Sequence, residues 1–165
     1  MAKKIIVKKE INIIRSVLIM AVTAEIYAQF FKNALRGNLD DLEGAGALEC
    51  MLLDTNHSFS EADQSVDDIV SNEIADEDYS RQSLTGVSVT QGTDTDTNLI
   101  KLDADDISFG TTVSISASHA VIYTVGIDDT DSYLMFDINF GETQESVDGE
   151  FTLEVHADGL YDVVT

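Results

Sequence analysis

The chain has 165 residues, 44% of them hydrophobic, a formal net charge of −22 and one cysteine. That length is one domain's worth, enough to bury roughly 70% of the surface its unfolded form exposes without help from disulfides. The acidity argues against nucleic acid or an anionic membrane surface as partner of the folded body.

The charge is unevenly placed. Residues 1–36 carry seven bases against Glu10 and Glu25, a balance of +5, whereas from residue 37 onward only Arg81 and Lys101 stand against 29 acids, a balance of −27. Such a division predicts a basic attachment segment on an acidic, self-repelling body. Residues 1–21 are therefore read as an arm, with Ile5, Ile6, Val7, Ile11, Ile13 and Ile14 interleaved with Lys3, Lys4, Lys8, Lys9 and Arg15. Lys8, Glu10 and Arg15 interrupt this stretch too often for a cleaved signal. Its longest uncharged run, Ser16–Ala24, has nine residues, against roughly 18 for a membrane span.

"VTAEIYAQFFKNALRG" predicts one amphipathic helix of about four turns. Thr23 serves as N-cap, Glu25 favours the first turn, Ile26, Phe30 and Ala34 adjoin Tyr27, Phe31 and Leu35, and Gly37 lies beyond the end. "ALECMLLD", 47–54, is a short apolar run between Gly46 and the turn-rich "DTNHS" and predicts a buried strand. It contains the single cysteine, Cys50, which cannot form a disulfide within the chain and is read as a small buried hydrophobe. Residues 60–80 hold eight acids around a short stripe of Val66, Ile69, Val70 and Ile74, and read as a surface excursion. "SLTGVSVT", "LIKLDADDISF", "TVSISASHAVIYTV", "SYLMFDINF" and "EFTLEVHADG" are strand-like runs between Gly, Asp, Asn and Thr clusters. One helix followed by five or more strands predicts a mainly β fold, an antiparallel β-sandwich with an N-terminal helix and an extended arm. The domain comprises residues 22–165. With no proline to guard strand edges, acidic side chains are expected to do so.

Candidate chemistry is sparse. Asp94, Asp96, Asn98 and Asp105 match the first, third, fifth and twelfth positions of a calcium loop, but Leu99 stands where its glycine belongs, leaving a weak candidate. "DDTD", 128–131, has the composition of a hairpin loop whose Asp and Thr side chains cap local donors. It lacks the apolar pocket that separates two catalytic carboxylates in pKa. His57, His119 and His156 are far apart, without zinc-site spacing. There is no Gly-x-Ser-x-Gly elbow or phosphate-binding glycine loop, and Cys50 has no activating base nearby in sequence. No enzyme, cofactor or resident metal is expected; a pocket with convergent acids or histidines would be the observation favouring catalysis.

From residue 22 onward the order of phrases resembles a family of small tailed-bacteriophage virion structural proteins. The phrases are "IYAQFFKNALRGNLDDLEGAGALECMLLDTNHSFS", "VSNEI" with "YSRQSLTGVSV", "KLDADDISF", "SASHAVIYTVG" and "LMFDINFGETQESVDGEFTLEVHADGLY". With the charge division, the resemblance implies a capsid decoration, or cement, protein located in the virion after assembly in the host cytoplasm. It implies the major capsid protein and further copies of the chain, as trimers or dimers, for partners, with neither nucleic acid nor membrane bound. The arm would dock on the shell or add a strand to a neighbour. A tail, head–tail adaptor or fibre-base component of the virion is the alternative, and a calcium-dependent adhesion or carbohydrate-binding sandwich the third reading.

Overall fold

A computed structural model describes residues 23–37, 39, 41–94, 97–156 and 159–163. The arm, with every expected partner-binding residue from Lys3 to Arg15, lies outside the described residues. The elements are β1 (Thr23–Ile26), α1 (Ala28–Arg36), β2 (Leu48–Leu53), β3 (Gln82–Ser83), β4 (Ser88–Asp94), β5 (Thr97–Asp103), β6 (Ile107–Thr124), β7 (Leu134–Leu153) and β8 (Tyr161–Val163). The fold is mainly β, with one α-helix and every strand pair antiparallel among the described residues, as its composition and pattern predict.

Five strands form one sheet in the order β1-β7-β6-β2-β3, and three form another in the order β4-β5-β8. The strand-like runs predicted as separate segments at 134–153 are one 20-residue strand, and β6 runs for 18 residues beside it. Their ribbon tolerates this length because register shifts interrupt it, including one between Ala117 and His119; such bulges let long strands bend and re-aim side chains.

One face of the larger sheet meets the helix and the smaller sheet. Leu48, Cys50, Leu52, Ala120, Ile122, Phe136, Ile138 and Phe140 face a core that Phe30 of α1, Leu102 of β5 and Leu160 complete. Phe30 and Phe136 place their ring centroids 5.9 Å apart. Cys50 is fully buried there.

The opposite face is also covered. Met51, Leu53, Val121, Tyr123 and Leu134 pack with Tyr27, Val66 and Ile69 in a second cluster. Residues 54–74 therefore form a lid, which corrects the expectation of a surface excursion at 60–80. Three apolar side chains decide the matter: Val66 and Ile69 are buried against this face and Ile74 in the first core, while the surrounding acids remain in solvent, cap backbone donors or, as Glu73 does, pair with Arg81. The lid is tied down by backbone bonds Asp54 N to Asn72 O (2.9 Å), Ile74 N to Leu52 O (3.1 Å) and Val66 N to Ser132 O (2.9 Å).

The helix is shorter than predicted. Thr23–Ile26 pairs with Asn139–Phe136 as an edge strand, and helix begins only after Tyr27. Pairing satisfies the backbone groups along the otherwise open side of β7, a tertiary gain that overrides helix propensity. Thr23 is thus no N-cap, and Leu35, expected on the apolar stripe, is 89% exposed. Gly37 does close the helix in the left-handed region at φ 68°, donating to the Asn33 and Ala34 carbonyls, where a side chain would be strained.

Candidate functional site: a buried histidine–aspartate centre

Asp137 interrupts the apolar run of β7 and projects from the face opposite Phe136 and Ile138. Neighbouring β1 sets Glu25 opposite it and Thr23 opposite Asn139. On the other side, β6 brings His119 opposite Asn139, and the lid carries His57 over the same spot. Asp137 is 2% exposed, with His57 and His119 nearly as deep.

His57 Nε2 lies 2.5 Å from Asp137 Oδ2, and His119 Nδ1 lies 2.8 Å from Asp137 Oδ1. The Tyr27 hydroxyl donates to Oδ2 at 3.3 Å. The two imidazoles meet edge to face with centroids 4.8 Å apart. Burial would push the Asp137 carboxyl up, but hydrogen bonds and charge attraction from His119 and His57 outweigh it and hold the group below the usual carboxylate range. An ionised carboxylate only accepts, so both facing nitrogens carry protons. Burial, reinforced by the Asp137 charge, pushes the Tyr27 phenol far up, so it stays a donor.

Beside the triad lies a cavity of about 270 Å³, lined by Thr23, Glu25, Ser58, Phe59 and Asn139 along with His57, His119 and Asp137. This is a pocket with convergent histidines and an acid, the feature named above as favouring catalysis. Its chemistry is incomplete as a nucleophilic site: Ser58 makes no hydrogen bond to either imidazole among the described residues, and the only cysteine, Cys50, lies in the core on the other face of the sheet. The arrangement can anchor the lid, shuttle a proton or hold a cation. His156, by contrast, is exposed.

The other candidates are dispersed. Asp94 pairs with Thr97 at the tip of the β4–β5 hairpin, and Ser88 with Asp103 at its far end. Six residues of strand at about 3.4 Å each put Asp105 roughly 20 Å from the tip, so Asp94, Asn98 and Asp105 form no calcium loop; Asp96 lies outside the described residues. The 128–131 turn is the loop between β6 and β7, with Asp128 Oδ1 accepting from the Thr130 N–H at 2.9 Å and its hydroxyl at 2.6 Å. Asp129 of that turn is gripped by Arg81 (Nη1 to Oδ1 2.7 Å, Nη2 to Oδ2 3.1 Å). Arg81 makes a second fork to Glu73 at 2.9 and 2.7 Å and lies 5.7 Å from the Tyr123 ring centroid.

Acids also guard strand edges, as the lack of proline predicts. Asp76 and Asp78 accept from the Ser116 and Ser114 N–H groups of β6, each at 3.1 Å. Glu43 does the same for Val89 of β4 at 2.9 Å. Among the described residues no helix is long and apolar enough to cross a membrane. Comparison of the chain with family models, with curated proteins and with solved structures finds no match to any of the three.

Proposed function

We propose that this chain is a structural protein of a phage virion, a decoration protein that binds the assembled head shell. The observation that carries the reading is the join between arm and body. The basic, apolar segment 1–21 runs directly into β1, a four-residue edge strand whose outer side pairs with no other described strand. An open edge beside an apolar, alternating segment suits strand exchange with a neighbouring subunit. The acidic body keeps free copies apart in solution while the basic arm seeks a partner. The phrase order resembling phage virion proteins supports the same setting. Stabilisation would follow from mass action, because a clip that binds only the assembled lattice lowers that lattice's free energy.

The test is co-sedimentation of the purified full chain, and of a chain lacking residues 2–21, with assembled heads stripped of this protein. The full chain should pellet with the heads and raise their disruption temperature. The shortened chain should stay in solution with its own unfolding transition intact. Equal binding by both would remove the arm from the attachment.

A tail, head–tail adaptor or fibre-base position keeps the same chemistry and is the second reading, favoured if the chain binds connector or tail assemblies instead of shells.

A further inference from the structure

The groups that pin the lid to the sheet are also a ligand set. One ring nitrogen each of His57 and His119 and a carboxylate oxygen of Asp137 all lie within 4.8 Å of one another, and all three residues are buried. They come from the lid, β6 and β7, so the convergence is a product of the tertiary fold and not of local sequence. Two imidazole nitrogens and one carboxylate oxygen are a donor set that zinc accepts, with a fourth position left open. Calcium and magnesium favour all-oxygen surroundings; imidazole suits zinc and its transition-metal neighbours.

The spacing is compatible. Bonds of about 2.0–2.1 Å in a tetrahedron set adjacent ligand atoms about 3.3 Å apart. The present N···O separations are 2.5 and 2.8 Å, to the two different oxygens of Asp137, and all the ligand atoms lie within 4.8 Å of one another, so each N···O pair must part by less than an ångström and the two imidazoles must close by at most about 1.5 Å. Asp137 can supply the first of these by turning about its broad terminal torsion. The fourth direction faces the cavity of about 270 Å³, ample for a water ligand. Glu25, opposite Asp137 in register, lines that cavity and adds a second carboxylate to favour a cation.

We propose that His57, His119 and Asp137 bind one divalent transition-metal ion of the zinc type, which clamps residues 54–60 onto the sheet. Without the ion, the two imidazole N–H groups hold the same contact through Asp137; on binding, each facing nitrogen gives up its proton, to its other ring nitrogen or to solvent, and offers its lone pair, so that the lid and the two central strands share a single strong centre. Binding to the folded chain raises its stability in proportion to ion concentration.

The test uses the full chain, stripped with a chelator and then titrated with zinc chloride under native mass spectrometry and calorimetry. One ion per chain is expected, with a melting-temperature rise of roughly 5 °C or more at a hundredfold excess over Kd. Cobalt(II) in place of zinc should give the intense visible absorption of a four- or five-coordinate site. His119→Gln should lower zinc affinity at least tenfold, and His156→Gln should leave it unchanged. Should His119→Gln fail to fold, the cobalt spectrum of the unaltered chain decides. The proposal is overturned by no stoichiometric binding at micromolar zinc, by a weak six-coordinate cobalt spectrum, or by undiminished binding in a folded His119→Gln protein.

Discussion

Asp137 and His119 form a diagonal pair on one face of the larger sheet. Their strands set His119 opposite Asn139 and Asp137 opposite Val121, yet Nδ1 and Oδ1 are 2.8 Å apart. Diagonal neighbours are within reach of long side chains, and here the pair provides the polar socket into which His57 closes. Met51, Leu53, Val121 and Tyr123 form the apolar part of that face under the lid, so the socket fixes where the lid lands.

Asp137 should govern the acid limb of stability. Its folded pKa lies below the ordinary value, so its contribution is fully present above about pH 4, the unfolded value, and is lost as pH falls through the lower folded value. Urea midpoints between pH 2 and pH 7 should show this loss in the unaltered chain and a shallower acid limb in Asp137→Asn. At pH 7 that variant should be less stable by about 1.5–3 kcal/mol, the worth of hydrogen bonds to a charged group. An identical acid limb in both proteins would contradict the assignment.

Arg81 links the lid to the 128–131 turn through forks to Glu73 and Asp129. Its side chain is 24% exposed, so solvent screens part of the attraction. Arg81→Ala should cost roughly 1.5–3 kcal/mol, read from the urea midpoint at constant slope. Arg81→Lys should recover only part of that, because an ammonium cannot make two planar forks.

Asp76 and Asp78 act as edge guards. Removing either as Asp→Ala leaves one strand N–H without its acceptor, at about 0.5–1.5 kcal/mol. The double variant should also associate at concentrations where the unaltered chain stays monodisperse, measured by light scattering, because β6 then offers a free edge. Stability loss without association would limit the role of these acids to local hydrogen bonding.

Ile122 and Ile127 differ by five positions and by nearly the full range of burial, at 0% and 94% exposure. Ile122→Ala should cost about 2–5 kcal/mol through lost packing and a residual cavity. Ile127→Ala should stay within about 0.5 kcal/mol. Thermal and urea unfolding of both variants checks the placement of the core.

Much of the fold is legible along the chain where local signals and packing agree. Leu48–Leu53 reads as a buried strand because it is a short apolar run bounded by turn residues, and both of its faces are covered. The 128–131 turn is legible from its aspartates, as is the helix end from Gly37. Thr23–Ile26 is misread because its partner on β7 lies more than a hundred residues away. The lid is misread because three buried side chains outweigh the surrounding acids.

The histidine–aspartate centre was the least legible part. His57 and Asp137 are 80 positions apart, His119 and Asp137 18, so no spacing motif exists. One signal was present: His119 and Asp137 each interrupt an otherwise apolar strand run, in "SASHAVIYTV" and "LMFDINF". A polar group inside a buried strand needs a partner, and two such groups of opposite charge tendency are natural candidates for each other. The lid residue His57 carried no comparable mark.

Locating the chain in the assembled particle tests the central claim most directly. High-resolution cryo-imaging of the virion should find many copies spread over the head shell, with residues 1–21 lying against the major capsid protein. A few copies confined to a ring or fibre at the portal or tail, or no copies in the particle, would contradict it.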